Sequence, residues 1–325
     1  MERRRLVKTL AVAAITALVP SVLRGAERVY RIGYLTANLR SYPWVDDFVR
    51  ELAERGYVEG KNLNIEWREA KGQTSILPEL ADDLVKRNLD AIVVVTNNAA
   101  KLVQERTKTV PIIVLASHDG VGAALYSSLS HPGANITGID SLSPALDTKR
   151  VQYLKEAVPT LSRLAVLSNP LFGGTDIHLS SIMSAAKELG IEPIRADVRS
   201  SAEFEPAFSA VLRSRVDGIV VVTDPMLLFE RKRIVDFAIQ NSVPSAYEFK
   251  EYVQIGGLLS YGATFEGMWR RGAYYVDKVL KGTKPSELPV ELPTQFNLAF
   301  NIKAARILGV EIPQSLLATA NDVIE

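Results

Sequence analysis

Apolar runs alternate with amphipathic segments along most of the chain. The run YRIGYLT at 30–36 predicts a strand, and 44–55 predicts a helix because its apolar residues recur every three or four positions. The later runs AIVVVT and PIIVLAS are continuously apolar and rich in β-branched residues, which is typical of parallel strands covered on both faces. Strands and helices in this alternation predict an α/β fold with a doubly wound parallel sheet.

The same pattern occurs twice. DAIVVVTNN at 90–98 and DGIVVVTDP at 217–225 share Asp, Ile, three Val and Thr, and each is followed by a Val-Pro step into another predicted strand. The openings RIGYLTAN and RLAVLSNP also match. A repeat of roughly a hundred residues is too long for a solenoid and indicates two similar domains. We therefore predict two doubly wound parallel-sheet lobes, joined by a Gly-, Ser- and Pro-rich linker at 133–150.

Polar residues stand at the carboxyl ends of the predicted strands. Ligands of open parallel sheets bind beyond these ends, and two facing lobes would place both sets around one cleft. Nearby tyrosines could add an aromatic wall. The predicted ligand-binding residues are Thr36, Thr96, Asn97, Asn98, His118, Asp119, Asn169, Asp224, Tyr247 and Tyr261.

Several of these residues have structural explanations as well. Asp119 and Asp224 could cap helices, bind a substrate ammonium or act as paired acid–base carboxylates, and we favour capping and ligand contact over catalysis. The candidate asparagines suit turns as well as ligand contact. Trp44, close to the first predicted strand, could belong to a lid or to the core.

No motif for catalysis stands out. The chain lacks a G-x-S-x-G elbow, a Walker A loop and H-E-x-x-H, and its three histidines share no metal-ligand spacing. Gly120 and Gly122 follow a strand but lack the third glycine of a dinucleotide site, which favours a tight loop opening a helix. We therefore predict no catalytic residue, no metal and no cofactor, and a protein that is not an enzyme.

Composition narrows the class of protein further. With 325 residues the chain is long enough for two cores, and 38 Lys and Arg against 37 Asp and Glu argue against a nucleic-acid partner. The absence of cysteine excludes disulfides, thiolate chemistry and a lipid-modified cysteine.

The first 26 residues predict a signal peptide. A basic head precedes an uncharged run from Thr9 to Leu23, which is shorter than the roughly 20 residues that span a bilayer. RRRLVK also resembles a twin-arginine signal, so general secretory and twin-arginine export both stay open, as does retention of the segment as an anchor. Export without a lipid-modifiable cysteine predicts a periplasmic protein.

Several segments together resemble one known family. They are ELAERGYVEGKNLNIEWREA, LPELADDLVKRNLDAIVV, HPGANITGI, KRVQYLKEAVPTLSRLAVLSNP, YEFKEYVQIGGLLSYG and NIKAARILGVEIPQSLLATANDVIE. In this order they resemble ABC-transporter substrate-binding proteins of the type I periplasmic-binding-protein fold, a group that includes binders of aromatic amino acids. The resemblance extends over nearly the whole chain after the predicted signal peptide.

The resemblance implies a Venus-flytrap protein with three hinge crossings near 140, 261 and 287. The N-terminal lobe would comprise 28–139 plus 262–285, and the C-terminal lobe 140–261 plus 286–325. A monomer would capture a small solute (an amino acid, an aromatic acid or another small organic acid) and deliver it to an ABC permease in the inner membrane.

Two departures from the family pattern leave the solute open. His118-Asp119-Gly120-Val121 stands where relatives often show Asp-Pro-Val, and Thr223-Asp224-Pro225 where amino-acid binders tend to show Asp-Asn. The alternatives are an enzyme acting on a nucleotide or sugar in the same cleft, and a ligand-sensing domain of a signalling system.

Overall fold

Two parallel sheets organise the molecule. The computed structural model describes residues 28–141 and 143–325, without the side chains of 143–145, so the predicted signal peptide lies outside the described residues. The first sheet has the order β2-β1-β3-β4-β5 and is parallel throughout. Its strands are β1 (Tyr30–Thr36), β2 (Leu63–Glu69), β3 (Ala91–Val94), β4 (Ile112–Ser117) and β5 (Ile136–Asp140). This sheet and the helices on it form the N-terminal lobe.

Helices cover both faces of the first sheet. Val93 and Ile113 point into the core under α1 and α10, whereas Ile92 and Val94 point into the core under α2 and α3. Central strands buried on both faces explain why the runs in the sequence are continuously apolar instead of alternating. These helices are α1 (Pro43–Glu54), α2 (Leu77–Val85), α3 (Asn97–Arg106) and, from much later in the chain, α10 (Phe265–Leu280).

The second sheet defines the C-terminal lobe and has the order β12-β11-β10-β9-β8-β6-β7. Its pairs are parallel except for β10 and β11, which run antiparallel. The strands are β6 (Arg163–Ser168), β7 (Glu192–Asp197), β8 (Gly218–Val221), β9 (Ser245–Tyr247), β10 (Leu259–Ala263), β11 (Phe296–Asn301) and β12 (Asp322–Ile324).

The helices of the C-terminal lobe follow the predicted alternation, with one difference. The apolar spacing in 227–240 predicts one helix, but the structure has two helices divided at Glu230, the first of which begins at Pro225 with Asp224 as its N-cap. The helices are α4 (Ser143–Ala157), α5 (Thr175–Glu188), α6 (Phe204–Arg213), α7 (Pro225–Phe229), α8 (Arg231–Gln240), α9 (Lys250–Gln254), α11 (Ile302–Leu308) and α12 (Gln314–Thr319). Single 3₁₀ turns lie at 74–76, 201–203 and 285–287.

The expected linker at 133–150 is wrong, because this segment forms β5 and the first half of α4. β5 is a short edge strand with a glycine in its centre, so it lacks the apolar run that identifies the central strands. Gly138 has φ +152°, and a Cβ there would lie 2.1 Å from the carbonyl oxygen of Val114. Close approach of two backbones, and not a flexible connection, therefore accounts for this glycine.

The chain passes between the two sheets three times. It leaves the first sheet after β5, returns at Thr264 after β10, and leaves again before β11. Residues up to Glu291 still belong to the first sheet, since Glu291 bridges to Ile139. The third passage thus lies at 292–295, beyond the expected position near 287. Of the helices that the structure describes, none is long and apolar enough to cross a membrane.

Candidate functional site

The two lobes touch through the carboxyl ends of their strands. His118, after β4, lies 5.6 Å from His178 of α5 and 6.4 Å from Phe172, measured between ring centroids. Asn98 faces Gly173 so closely that a Cβ on the glycine would lie 2.7 Å from Asn98 Oδ1. The cleft between the lobes is therefore closed over these residues.

Further contacts between the lobes lie away from the histidines. Arg231 donates from Nη1 to the hydroxyl of Tyr42 at 3.1 Å, and its guanidinium carbon lies 4.9 Å from the centre of that ring. Gly72 packs against Phe229, since a Cβ on Gly72 would lie 2.9 Å from the phenylalanine Cγ. These contacts hold the closed arrangement on a second side.

Three candidates from the N-terminal lobe are buried and occupied by local hydrogen bonds. Thr36 Oγ1 accepts from the backbone N–H of Asn38 at 3.0 Å, and Thr96 caps α3 through its hydroxyl. The amide of Asn97 donates to the carbonyl of His118 at 2.7 Å and accepts from its N–H at 3.0 Å. Asn97 thus fixes the backbone of His118 at the edge of the sheet. Asn98, whose side chain faces Gly173 of the other lobe, is half-buried.

His118 is an N-terminal-lobe candidate whose ring contacts the other lobe. It is buried, and its Nδ1 lies 2.8 Å from Ser141 Oγ at the first passage between the lobes. Burial holds the pKa of His118 below its ordinary value; the Glu248 carboxylate opposes this shift, and His178 adds to it. The ring is therefore neutral at pH 7.

Asp119 lies beside this histidine but faces its own loop. It has φ +47°, is half-buried, and accepts from the N–H of Gly122 at 3.1 Å. The structure therefore brings Asp119 to the edge of the site in a turn-forming role.

Asn169 and Asp224 form the C-terminal-lobe half of the site. Asn169 Nδ2 donates to Asp224 Oδ2 at 2.6 Å, and the N–H of Leu227 donates to Oδ1 at 2.6 Å. Burial raises the pKa of Asp224 to about 6, although both hydrogen bonds oppose the shift. Among the ion pairs of the described residues, none includes this carboxylate. Among the described residues, the buried carboxylate of Asp224 therefore has no cation as an ion-pair partner.

The predicted tyrosines occupy different environments. Tyr247 is fully buried and stacks on Tyr252 at 4.4 Å. The ring of Tyr261 packs against Tyr153 and Phe296 inside the C-terminal lobe, so its contacts do not include the other candidates. Trp44 is a core residue, buried and stacked at 4.3 Å on Phe265.

A buried ion-pair network below the histidines was missed by sequence reasoning. The fully buried Arg150 pairs with Asp147, lies 3.9 Å from Glu248 and donates from Nε to the carbonyl of Tyr261 at 2.9 Å. Asp147 also contacts Nδ1 of His178 at 2.9 Å. The i,i+3 spacing of Asp147 and Arg150 was the available signal, but it fell in the segment interpreted as a linker.

Several buried polar atoms around the cleft lack a hydrogen-bond partner. Such atoms are rare in folded proteins, because an unmade hydrogen bond costs roughly 1–3 kcal/mol. They are Asn38 Oδ1, Thr223 Oγ1, His178 Nε2, Tyr247 Oη and Tyr252 Oη. Within 28–141 and 143–325, no cluster of three or more His, Asp or Glu residues could hold a metal ion. The site thus offers polar atoms for an organic solute.

Comparison with known proteins places this geometry in context. The family model described as ABC transporter substrate binding protein matches residues 41–324. A tyrosine-binding protein of Clostridioides difficile (strain R20291) is 25% identical over 265 residues, which cover 81% of this chain and 76% of that protein.

Solved structures give the same picture. A conserved domain protein from Vibrio cholerae superposes with a TM-score of 0.84 at 28% identity, over 91% of this chain and 100% of that one. The ABC domain in complex with L-Trp from Streptococcus pneumonia superposes with a TM-score of 0.82 at 26% identity, with the same coverage. The similarity therefore extends across both lobes.

Proposed function

The chain belongs to the family of ABC transporter substrate-binding proteins, and from this premise we propose that its lobes capture an amino acid and deliver it to an ABC permease in the inner membrane. The observation that carries the proposal is the closed contact between the two lobes beyond the carboxyl ends of their strands, where His118 meets His178 and Asn98 meets Gly173. The names of the tyrosine-binding relative and the L-Trp complex support an aromatic amino acid as the solute.

Asp224 supports a solute that carries an ammonium group. Its carboxylate is buried, accepts hydrogen bonds from Asn169 and Leu227, and has a pKa that burial raises to about 6. At pH 7 the group is mostly ionised, so a charged amine would supply the missing positive charge. Thr223, whose hydroxyl is buried and without a partner, adds an acceptor beside it.

Closure of the lobes is the mechanism of capture in this proposal. A solute that contacts His118 on one side and Asp224 on the other has all its contacts only in the closed form, so it shifts the population toward that form. A wrong solute leaves buried polar atoms unpaired, which supplies specificity. The closed lobes then present the surface that a permease binds.

The remaining parts of the proposal concern location and organisation. We propose that residues 1–26 direct export to the periplasm and that the protein acts as a monomer. The hinges are proposed after Asp140, at Thr264 and at 292–295, where the chain passes between the sheets. A carrier needs no catalytic residue, and the family binds its substrates.

Calorimetry on the chain from Glu27 onward tests the solute class. The titrants are L-tyrosine, L-tryptophan, tyramine and 3-(4-hydroxyphenyl)propanoate, the last lacking the amine of tyrosine. We expect tyrosine or tryptophan to bind, and the desamino acid to bind at least about thirtyfold more weakly, since an unpaired buried charge costs 2 kcal/mol or more. Mass spectrometry of the recovered solute distinguishes a carrier, which returns it unchanged, from an enzyme.

The matched variant is Asp224→Asn, which keeps the cap acceptor for Leu227 and removes the charge. It should lose the preference for tyrosine over the desamino acid. Equal binding of both compounds by both proteins would contradict the role of Asp224, and no binding of any titrant would contradict an aromatic amino acid as the solute.

A further inference from the structure

His118 and His178 form a buried pair that exists only across the two lobes. His118 follows β4 of the N-terminal lobe and is 7% exposed, and His178, in the first turn of α5 of the C-terminal lobe, is 1% exposed. Their rings meet edge to face at 5.6 Å with an interplanar angle of 70°. Opening of the lobes separates the rings, and the shielding that Phe172 and α5 give to His118 is then lost.

The charges around the pair come from three elements. His178 Nδ1 contacts the Asp147 carboxylate of α4, and its Nε2 is buried without a hydrogen-bond partner. His118 is influenced by Arg150 of α4, Glu248 after β9 and Asp140 of β5. The carboxylates favour a charged His118 ring, whereas Arg150 and the other histidine disfavour it. Burial is the largest effect and also disfavours the charge.

The Asp147 carboxylate contacts Nδ1 of His178, whereas Glu248 and Asp140 act on His118 through their charges. The hydrogen-bond partner of His118 Nδ1 is the neutral hydroxyl of Ser141. A proton added to His118 in the closed form therefore lies in a buried position, with a histidine beside the ring and the Ser141 hydroxyl at Nδ1. This arrangement penalises a charged His118 in the closed form alone.

We propose that the His118–His178 pair makes lobe closure, and with it retention of the solute, weaken in acid. The inference deepens the proposed function by assigning a regulation to the same cleft. It predicts a carrier that holds its solute at neutral pH and releases it when the surrounding medium becomes acidic.

The direction follows from proton linkage. In the open form His118 is solvated and titrates near the ordinary pKa of about 6.5, whereas in the closed form burial lowers that pKa. Between the two values the open form binds more protons, so the closure constant falls as the pH falls. One linked proton changes the constant by at most about tenfold per pH unit, and well above pH 6.5, where His118 is neutral in both forms, the constant no longer depends on it.

Histidine NMR on two locked forms tests the proposal without any solute. The chain has three histidines, so ¹³Cε1–H spectra contain three signals, and His131, which is exposed, serves as an internal reference. The closed form is held by a disulfide in Asn98→Cys/Gly173→Cys, which is unambiguous because the chain has no other cysteine. The open form is Gly173→Val, whose added side chain collides with Asn98 on closure.

We expect His118 to titrate at lower pH in the closed form than in the open form, while His131 titrates identically in both. His178→Asn in the disulfide-held background should move the His118 titration part of the way back, because it removes the neighbouring imidazole. Equal His118 titrations in both forms, or a higher value in the closed form, would overturn the proposal. The NMR titrations use no solute, so they test the histidine pair even if no amino acid binds the protein.

Discussion

Gly173→Val should abolish most solute binding without unfolding the protein. A Cβ at this position would lie 2.7 Å from Asn98 Oδ1 and 3.8 Å from its Cγ, and these are the two atoms within 4 Å. Both belong to the other lobe, and Gly173 has no positive φ that would require glycine. The substitution therefore collides only when the lobes close.

The size of the effect follows from the contact. Ordinary contact begins at 3.4 Å, so one methyl overlaps Asn98 by about 0.7 Å, which rotation of the amide can relieve. Valine adds two methyl groups to this Cβ, so it leaves the amide less room to rotate than alanine does. Overpacking of this kind costs about 1–3 kcal/mol. If the solute binds only the closed form, its affinity falls by the corresponding factor of about 5 to 150.

Calorimetry with the best titrant of the solute screen, together with thermal unfolding of the solute-free chain, measures both consequences. We expect a raised Kd and an unchanged unfolding temperature for Gly173→Val. Gly173→Ala should stay close to wild type because Asn98 can rotate, and Leu171→Val tests the same loop at a side chain that is 70% exposed. Wild-type affinity in Gly173→Val would refute the reasoning that these lobes close on the solute.

Three further outcomes are expected. Asp224→Asn should stabilise the solute-free chain at pH 7.5 by roughly 1–3 kcal/mol in urea unfolding. The pKa of Asp224 is raised from 3.8 to about 6 in the folded chain, so the folded state loses stability as the pH rises through this range. No gain at pH 7.5 would contradict a buried, uncompensated charge. Arg150→Met should destabilise the chain by about 3–5 kcal/mol in the same assay, since two buried carboxylates lose their cation, and a near-neutral effect would show that water reaches them. Gly138→Ala should lower the unfolding temperature, because its Cβ would lie 2.1 Å from the backbone carbonyl oxygen of Val114 and no rotamer can relieve that contact. The control Gly190→Ala has nothing within 4 Å of its Cβ and should show only the smaller cost of its positive φ.

Specificity and stability oppose each other at Asp224. A buried carboxylate that lacks a cation lowers the stability of the empty protein, and a charged solute restores what is lost. The same residue caps α7, so the cap alone explains why an acceptor stands there but not why it is charged. Comparison of Asp224→Asn in stability and in affinity separates these two roles.

The sequence by itself determined the architecture. Continuous β-branched runs such as AIVVVT indicate strands that are buried on both faces, because only apolar side chains leave water at little cost. The repetition of these runs indicates two lobes. The strand ends were also readable, so Asn169, Asp224 and His118 were predicted as binding residues from the rule that parallel sheets bind ligands at one edge, and the structure places all three just after strands.

The tertiary structure alone decided which candidates meet. Tyr261 has the same pattern as Tyr247, yet its ring packs inside one lobe, and β5 was hidden because an edge strand needs no apolar run. Asp147 contacts Arg150 of the same helix and His178 of α5, 31 residues further along the chain, and no sequence motif links these residues. Pairing across a cleft depends on the relative position of two folded bodies, and no local pattern of residues records that position.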